Sequence, residues 1–177
     1  QEVVLKASID ELRGVERAKS ELRAEFDILT QLYVARAHVP RPFWFHDGMS
    51  EPTIPFFAMA RAAGDPVSQV ALKGARYGFP EKVAMTLAIP FLETLQAAHN
   101  LGYGYRDWDA TNVFVASASL PESTVPASRG AKDVEAFRCS AFLYSRPVTV
   151  IDWNVVDRFD GKSEAERNIV VAADVRK

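Results

Sequence analysis

Cysteine is nearly absent from this sequence. Cys139 is the only one, so no internal disulfide can form and no cysteine-based metal site is suggested. Histidine is also sparse: His38, His46 and His99 lack ligand-like spacing. No charge of one sign dominates. With 21 basic and 23 acidic residues the net charge is −2, which gives no whole-chain case for a nucleic-acid partner. Long apolar runs are missing as well. The longest, around Val83 to Leu95, is interrupted by Thr86, Pro90 and Glu93 and is too short for a bilayer span. The opening residues QEVVLKAS lack the basic start and long apolar middle of a secretory signal. A cytoplasmic chain with no membrane and no nucleic acid is the expectation.

The 177 residues, 48% of them apolar, suffice for one core in a single domain or in two small lobes. Val3 to Ala7 reads as a short strand carrying one lysine, Lys6. Apolar residues at Val15, Ala18, Leu22, Phe26, Leu29 and Tyr33 then form one stripe of an amphipathic helix. Pro42 to His46 and Pro55 to Met59 read as two strands around the turn-rich DGMSEPT. Gly64-Asp65-Pro66 breaks regular structure and is the expected boundary between two lobes. Glu81 to Leu101 reads as a long helix, kinked or weakened at Pro90 and buried deep because apolar residues extend around much of it. Val113 to Val115 and Val148 to Ile151 read as strands. Between them lies a Ser/Pro/Thr-rich linker, then Phe137 to Tyr144, expected as an extra strand or helix.

Five polar residues stand out: Lys6, Glu25, Asp107, Asn112 and Asp152. Taken singly, each has an ordinary explanation. A strand lysine snorkels, a helix glutamate is solvated, and an aspartate after a strand forms a turn. Glu25 differs because helical geometry sets it within about 60° of Leu22, at the edge of the apolar stripe, while Asp27 faces away. A carboxylate there is costly unless it meets a cation. Lys6, on the preceding strand, is the natural partner.

These residues and their order resemble the protein kinase-like superfamily. VVLK is similar to the strand motif whose lysine contacts the ATP phosphates, and Glu25 to the helix glutamate that holds that lysine. YRDWDATN, residues 105–112, resembles the catalytic loop, with Asp107 and Asn112 five positions apart. VIDWN, residues 150–154, resembles the metal-binding element, with Asp152 as ligand. PFFAMARAAGDPV resembles the last small-lobe strand and hinge. That match puts Met59 at the gatekeeper position and the Ala60–Ala62 backbone against adenine. AADVRK resembles the start of a later helix, with Asp174 as its anchoring aspartate.

The resemblance implies an α+β, bilobal protein kinase-like fold, truncated at both ends. Residues 1–61 would form a small β-rich lobe with one helix, and 62–177 a mainly helical lobe with an insertion at about 117–146. A glycine-rich phosphate loop would precede Gln1. The resemblance also implies the cofactors ATP and Mg²⁺, with Lys6 binding phosphate and Asn112 and Asp152 the metal. Asp107 would be the base that takes the acceptor's proton.

Three departures stand out, the first at a mainly structural position and the other two bearing on the acceptor. Tyr105 replaces the loop histidine, Asn154 replaces a glycine, and Asp109 stands where protein kinases have a lysine near the transferred phosphate. The I-D-W element is similar to the aminoglycoside and choline phosphotransferase branch. Phosphoryl transfer to Ser or Thr of a protein is the first expectation. A small-molecule phosphotransferase and a pseudokinase scaffold are the alternatives. The insertion is a candidate contact for a partner protein. Between Asp152 and Asp174, Ser163 is the only hydroxyl residue, which disfavours activation by phosphorylation there.

Overall fold

The computed structural model describes residues 2–7, 15–50, 54–69, 81–116 and 148–176, and these form a mixed α+β structure with small antiparallel sheets. The expected insertion at about 117–146, including Phe137 to Tyr144, lies outside the described residues. Among them, no helix is long and apolar enough to cross a membrane.

The first sheet has the order β1-β3-β2, from Val3–Ala7, Phe56–Ala60 and Pro42–His46. Its middle strand is the most apolar, and Phe57 and Ala58 are fully buried. Pro42 begins an outer strand and sits beside a bulge, where a missing N–H costs little. In the register, Lys6 lies opposite Phe57 and Val4 opposite Met59, so all four share one face. Helix α1, Val15–Val34, packs on that face, with Phe26 against both Phe45 and Phe57. Its buried stripe runs through Ala18, Leu22, Glu25, Ile28, Leu29 and Leu32.

Helix α1 ends without a glycine. Ala37 N donates to Leu32 O and Arg36 N to Tyr33 O, the paired bonds of a Schellman cap. Arg36 takes the left-handed position at φ 63°.

Strand β4 is Asp65–Pro66, inside the segment expected as a break. Gly64, at φ 86°, turns the chain so closely onto Val115 O that a side chain there would collide with it. The second sheet has the order β4-β6-β7, with β6 at Val113–Val115 and β7 at Val148–Val150. A third pair joins β5, Tyr103–Tyr105, to β8, Val156–Arg158.

Helix α2, Glu81–Asn100, runs through Pro90 unbroken. Thr94 Oγ1 donates to Pro90 O at 2.9 Å and accepts from His38 N at 3.0 Å, so this buried hydroxyl is satisfied. The helix is less deeply buried than its composition suggested. Leu87, Leu95 and Ala98 are buried, but Met85, Ile89 and Leu92 are about half exposed. Apolar composition all around a helix does not by itself bury every face.

Helix α3, Glu164–Arg176, starts earlier than expected, so AADVRK lies at its end and not at its start. A capping box starts it: Ser163 N donates to Glu166 Oε2 at 2.8 Å, and Glu166 N to Ser163 Oγ at 3.4 Å. One apolar cluster joins α1 and β3 to α2, β5, β6, β7 and Trp153.

Candidate functional site

Lys6 Nζ lies 2.7 Å from Glu25 Oε1 and 2.6 Å from Asp152 Oδ1. The three groups come from β1, α1 and the segment after β7. Strand alternation turns Lys6 inward with Val4, and helical periodicity turns Glu25 into the buried stripe. Glu25 Oε1 also accepts the main-chain N–H of Trp153 at 3.2 Å, which ties α1 to the residue after Asp152. Asp152 has φ 64°, a left-handed backbone that aspartate adopts more readily than most residues.

Burial works against the Lys6 charge, but Glu25 and Asp152 together outweigh it and raise its pKa above the ordinary 10.5. Burial also pushes the Glu25 carboxyl up from 4.5; Lys6 opposes this, and the negative Asp152 adds to the rise. The upward shift of Glu25 measures the cost of burying it. With two N–H donors on one oxygen, the carboxylate is the form that fits the geometry.

A second polar group lies at the start of β6. Asn112 Nδ2 donates to Asp107 O at 3.2 Å and faces Asp107 Oδ2 at 3.4 Å. Asn112 N donates to Asp109 O, which closes the loop between them. Asn112 O accepts from Ile151 N at 2.9 Å, so the Asp107–Asn112 loop is joined by main chain to the residue before Asp152.

Tyr105 fastens the same point from below. Its hydroxyl donates to Ile151 O at 2.8 Å, and its ring lies 4.4 Å from that of Trp153. Burial, then the nearby Asp107 and Asp152 charges, raise the Tyr105 phenol, which keeps it a neutral donor. Tyr105 N donates to the buried Asp174 carboxylate at 2.8 Å, and His99 Nε2 lies 2.8 Å from the same oxygen. A side chain at Gly104 would collide with Val170, so α3 sits directly against this strand.

Asp109 turns back on its own loop. Its Oδ1 accepts from both the hydroxyl and the N–H of Thr111 at 2.7 Å, and these bonds hold its carboxyl below the usual range.

Lys6, Glu25 and Asp152 are thus in contact, Asp107 and Asn112 are in contact, and a main-chain bond links the two groups. Met59 shares the Lys6 face of the sheet. Ala60 is buried at the end of β3, where its N–H is spent on Arg41 O, and Ala62 lies just beyond that strand. Neither belongs to the polar contact group. Sequence reasoning missed two contributions. The Trp153 N–H could not be read, because every residue except proline carries one. Tyr105 reads in the sequence only as a replacement, although a tyrosine next to an apolar strand needs a partner for its hydroxyl.

Among the described residues, no group of three or more His, Cys, Asp or Glu side chains is arranged to hold a metal. A hard cation such as Mg²⁺ needs less, taking one or two protein oxygens and completing its shell with water and phosphate. Asp152 offers a carboxylate. Because Asn112 turns its amide N–H₂ toward Asp107, its side-chain oxygen is the atom that could serve as a ligand. The donor set is therefore all oxygen and fits such an ion. No protein-family model matches the chain, and no curated protein matches it.

Proposed function

We propose that the chain transfers the terminal phosphoryl group of ATP, with Mg²⁺, to a hydroxyl group, and that its elements belong to a bilobal protein kinase-like fold. Residues 1–61 would form the small lobe and 62–177 the larger. The observation that carries this reading is the three-way contact of Lys6 with Glu25 and Asp152. It brings one cation and one metal-type carboxylate together from distant parts of the chain. Asp107 and Asn112 lie one main-chain bond away.

Phosphoryl transfer asks for positioning and charge stabilisation more than for covalent chemistry. Lys6 supplies the cation for the phosphate oxygens, and Glu25 keeps it extended. Asp152 and the Asn112 side-chain oxygen would hold the metal, which would supply positive charge to the phosphate oxygens. Asp107, held by the Asn112 amide, orients the acceptor hydroxyl and receives its proton. Met59 stands on the Lys6 face as a wall for the adenine. The main chain over Ala60–Ala62 meets the adenine edge.

Ser or Thr of a protein is the first acceptor of this reading. A small-molecule hydroxyl is the second, favoured by Asp109: an ionised, exposed carboxylate two residues from Asp107 suits a cationic acceptor better than the transferring phosphate. Labelled ATP, incubated with Mg²⁺ and either generic protein substrates or hydroxylated amines, tests both acceptors. Asp107→Asn should abolish transfer and leave nucleotide binding largely intact. An unchanged rate in that variant removes Asp107 from the mechanism, and no transfer to either acceptor class removes the enzymatic reading.

A further inference from the structure

Asp152 is asked to bind a divalent cation, yet its Oδ1 already lies 2.6 Å from the ammonium of Lys6. We infer that Lys6 is a built-in counter-ion at the metal site, which holds off free divalent cations until a polyphosphate draws the ammonium away. This rests on the phosphotransferase reading and adds to it an order of binding: nucleotide first or together with the metal, never the metal alone.

The contact geometry carries the argument. A lysine ammonium has three donors. One goes to Glu25 and one to Asp152, and both carboxylates are within contact distance of the same nitrogen. A dication on Asp152 would share that carboxylate with a fixed positive charge in a partly buried site, where like charges are poorly screened. A phosphate chain changes the balance, because Lys6 can exchange the Asp152 oxygen for a phosphate oxygen without leaving Glu25. Glu25 makes this exchange local. Its carboxylate is fixed a second time by the Trp153 N–H, so it remains a pivot while the lysine tip moves. The released Asp152 then faces the metal with its full charge.

Binding of Mn²⁺, read from the loss of its free-ion resonance signal, tests the order without any turnover. The wild-type chain should bind Mn²⁺ weakly in the absence of nucleotide. Lys6→Met should bind it about tenfold more tightly, a typical size for coupling between two ligands of one site. Lys6→Met/Glu25→Gln removes one charge of each sign, so the same gain there excludes a mere change in net charge. It also serves if the single variant does not fold. Asp152→Asn placed on either background should remove the gain. Equal Mn²⁺ affinity in the wild type and the Lys6 variants overturns the inference, as does a wild type that binds Mn²⁺ tightly on its own. A separate calorimetric titration isolates the underlying reading. If Mg²⁺ tightens ATP binding in the wild type and not in Asp152→Asn, the Mg²⁺–nucleotide site on which the phosphotransferase reading rests stands whatever the Mn²⁺ result; if Mg²⁺ has no effect, or an equal effect in Asp152→Asn, both fall.

Discussion

Lys6→Met tests the ion-pair arrangement directly. Methionine nearly preserves the length of the side chain, so the change mainly removes charge. Glu25 is left with an almost fully buried carboxylate, its side chain only 6% exposed, and without its cation. Lys6 and Asp152 are each a little over a quarter exposed. Exposed pairs contribute about 0–1 kcal/mol, and breaking a fully buried pair costs about 3–5 kcal/mol. This pair lies between those limits, so the expected loss is about 2–3 kcal/mol at neutral pH. That corresponds to a fall in melting temperature of roughly 5–10 °C for a domain of this size. Urea unfolding followed by circular dichroism measures it, with an unchanged m-value showing that the folded state is otherwise the same. Lys6→Met/Glu25→Gln should recover part of the loss, because the stranded charge is gone.

The pH dependence has a definite sign. The Glu25 pKa is raised on folding, so the folded state holds that proton more tightly than the unfolded chain, and stability falls as pH rises from 4.5 through the folded value. Without Lys6 to oppose burial, that window extends upward, so the deficit of Lys6→Met grows as pH rises above the wild type's folded value. Lys6 acts at the other end. Its pKa is raised, so its contribution is complete below 10.5 and is lost as pH rises through the folded value. The wild type should therefore lose stability in that alkaline range, while Lys6→Met does not. A variant within about 0.5 kcal/mol of wild type at neutral pH, or a double variant that loses the sum of two independent single losses, refutes the reasoning.

Arg36→Gly should stabilise the chain by about 0.5–1 kcal/mol in chemical denaturation, because glycine accepts the left-handed position that closes α1 without a Cβ penalty. Ser163→Ala should flatten the acid side of the stability profile. The Ser163 hydroxyl, then its N–H, lowers the Glu166 pKa below 4.5, so the wild type has this contribution above that pH and loses it as pH falls through the folded value. Urea midpoints collected across the acid range will show whether that slope is reduced in the variant, which keeps the main-chain N–H but not the hydroxyl.

What could be read in advance follows from which interactions are local. The α1 stripe and the burial of Glu25 are set by residues three and four apart, and periodicity reports such spacing directly. The Lys6–Glu25 pair then followed from the cost of burying a charge. The three-residue strands β5 and β8 are different. Their pairing places Tyr103 opposite Arg158, and neither YGY nor VDR is long enough to show alternation. Strand β4 is two residues of a sequence that reads as a break, and it exists because β6 offers it a free edge. The exposure of Met85, Ile89 and Leu92 was hidden for the opposite reason: composition records that a side chain is apolar, not what covers it. The Ser163-to-Glu166 box was legible by its spacing, but the polar residues around it disguised the start of α3.

The two halves of the candidate site owe their proximity to an antiparallel pair. Val113 lies opposite Val150, and Val115 opposite Val148. In such a pair the start of one strand and the end of its partner lie at the same end. Asn112 immediately precedes β6, and Ile151 immediately follows β7, so their main-chain bond at 2.9 Å continues the ladder by one step. Asp107 hangs from Asn112 on one side and Asp152 follows Ile151 on the other. The long stretch of chain from 117 to 147 connects the opposite end of the pair, next to Val115 and Val148. The register of two three-residue strands sets the spacing between the proposed base and the proposed metal ligand. Tyr105 reinforces that register by donating to Ile151 O. Substituting the Tyr105 hydroxyl should accordingly disturb both groups at once, although it is neither a base nor a ligand. Tyr105→Phe leaves the stacked ring against Trp153 and removes the bond to Ile151 O together with the hydroxyl's interaction with the Asn112 amide. A buried carbonyl deprived of its donor costs about 1–3 kcal/mol. If the register argument is right, that variant lowers phosphate transfer and weakens Mg²⁺-dependent nucleotide binding together. If transfer and binding are both unchanged while stability falls by that amount, the bond supports the fold and does not position the site.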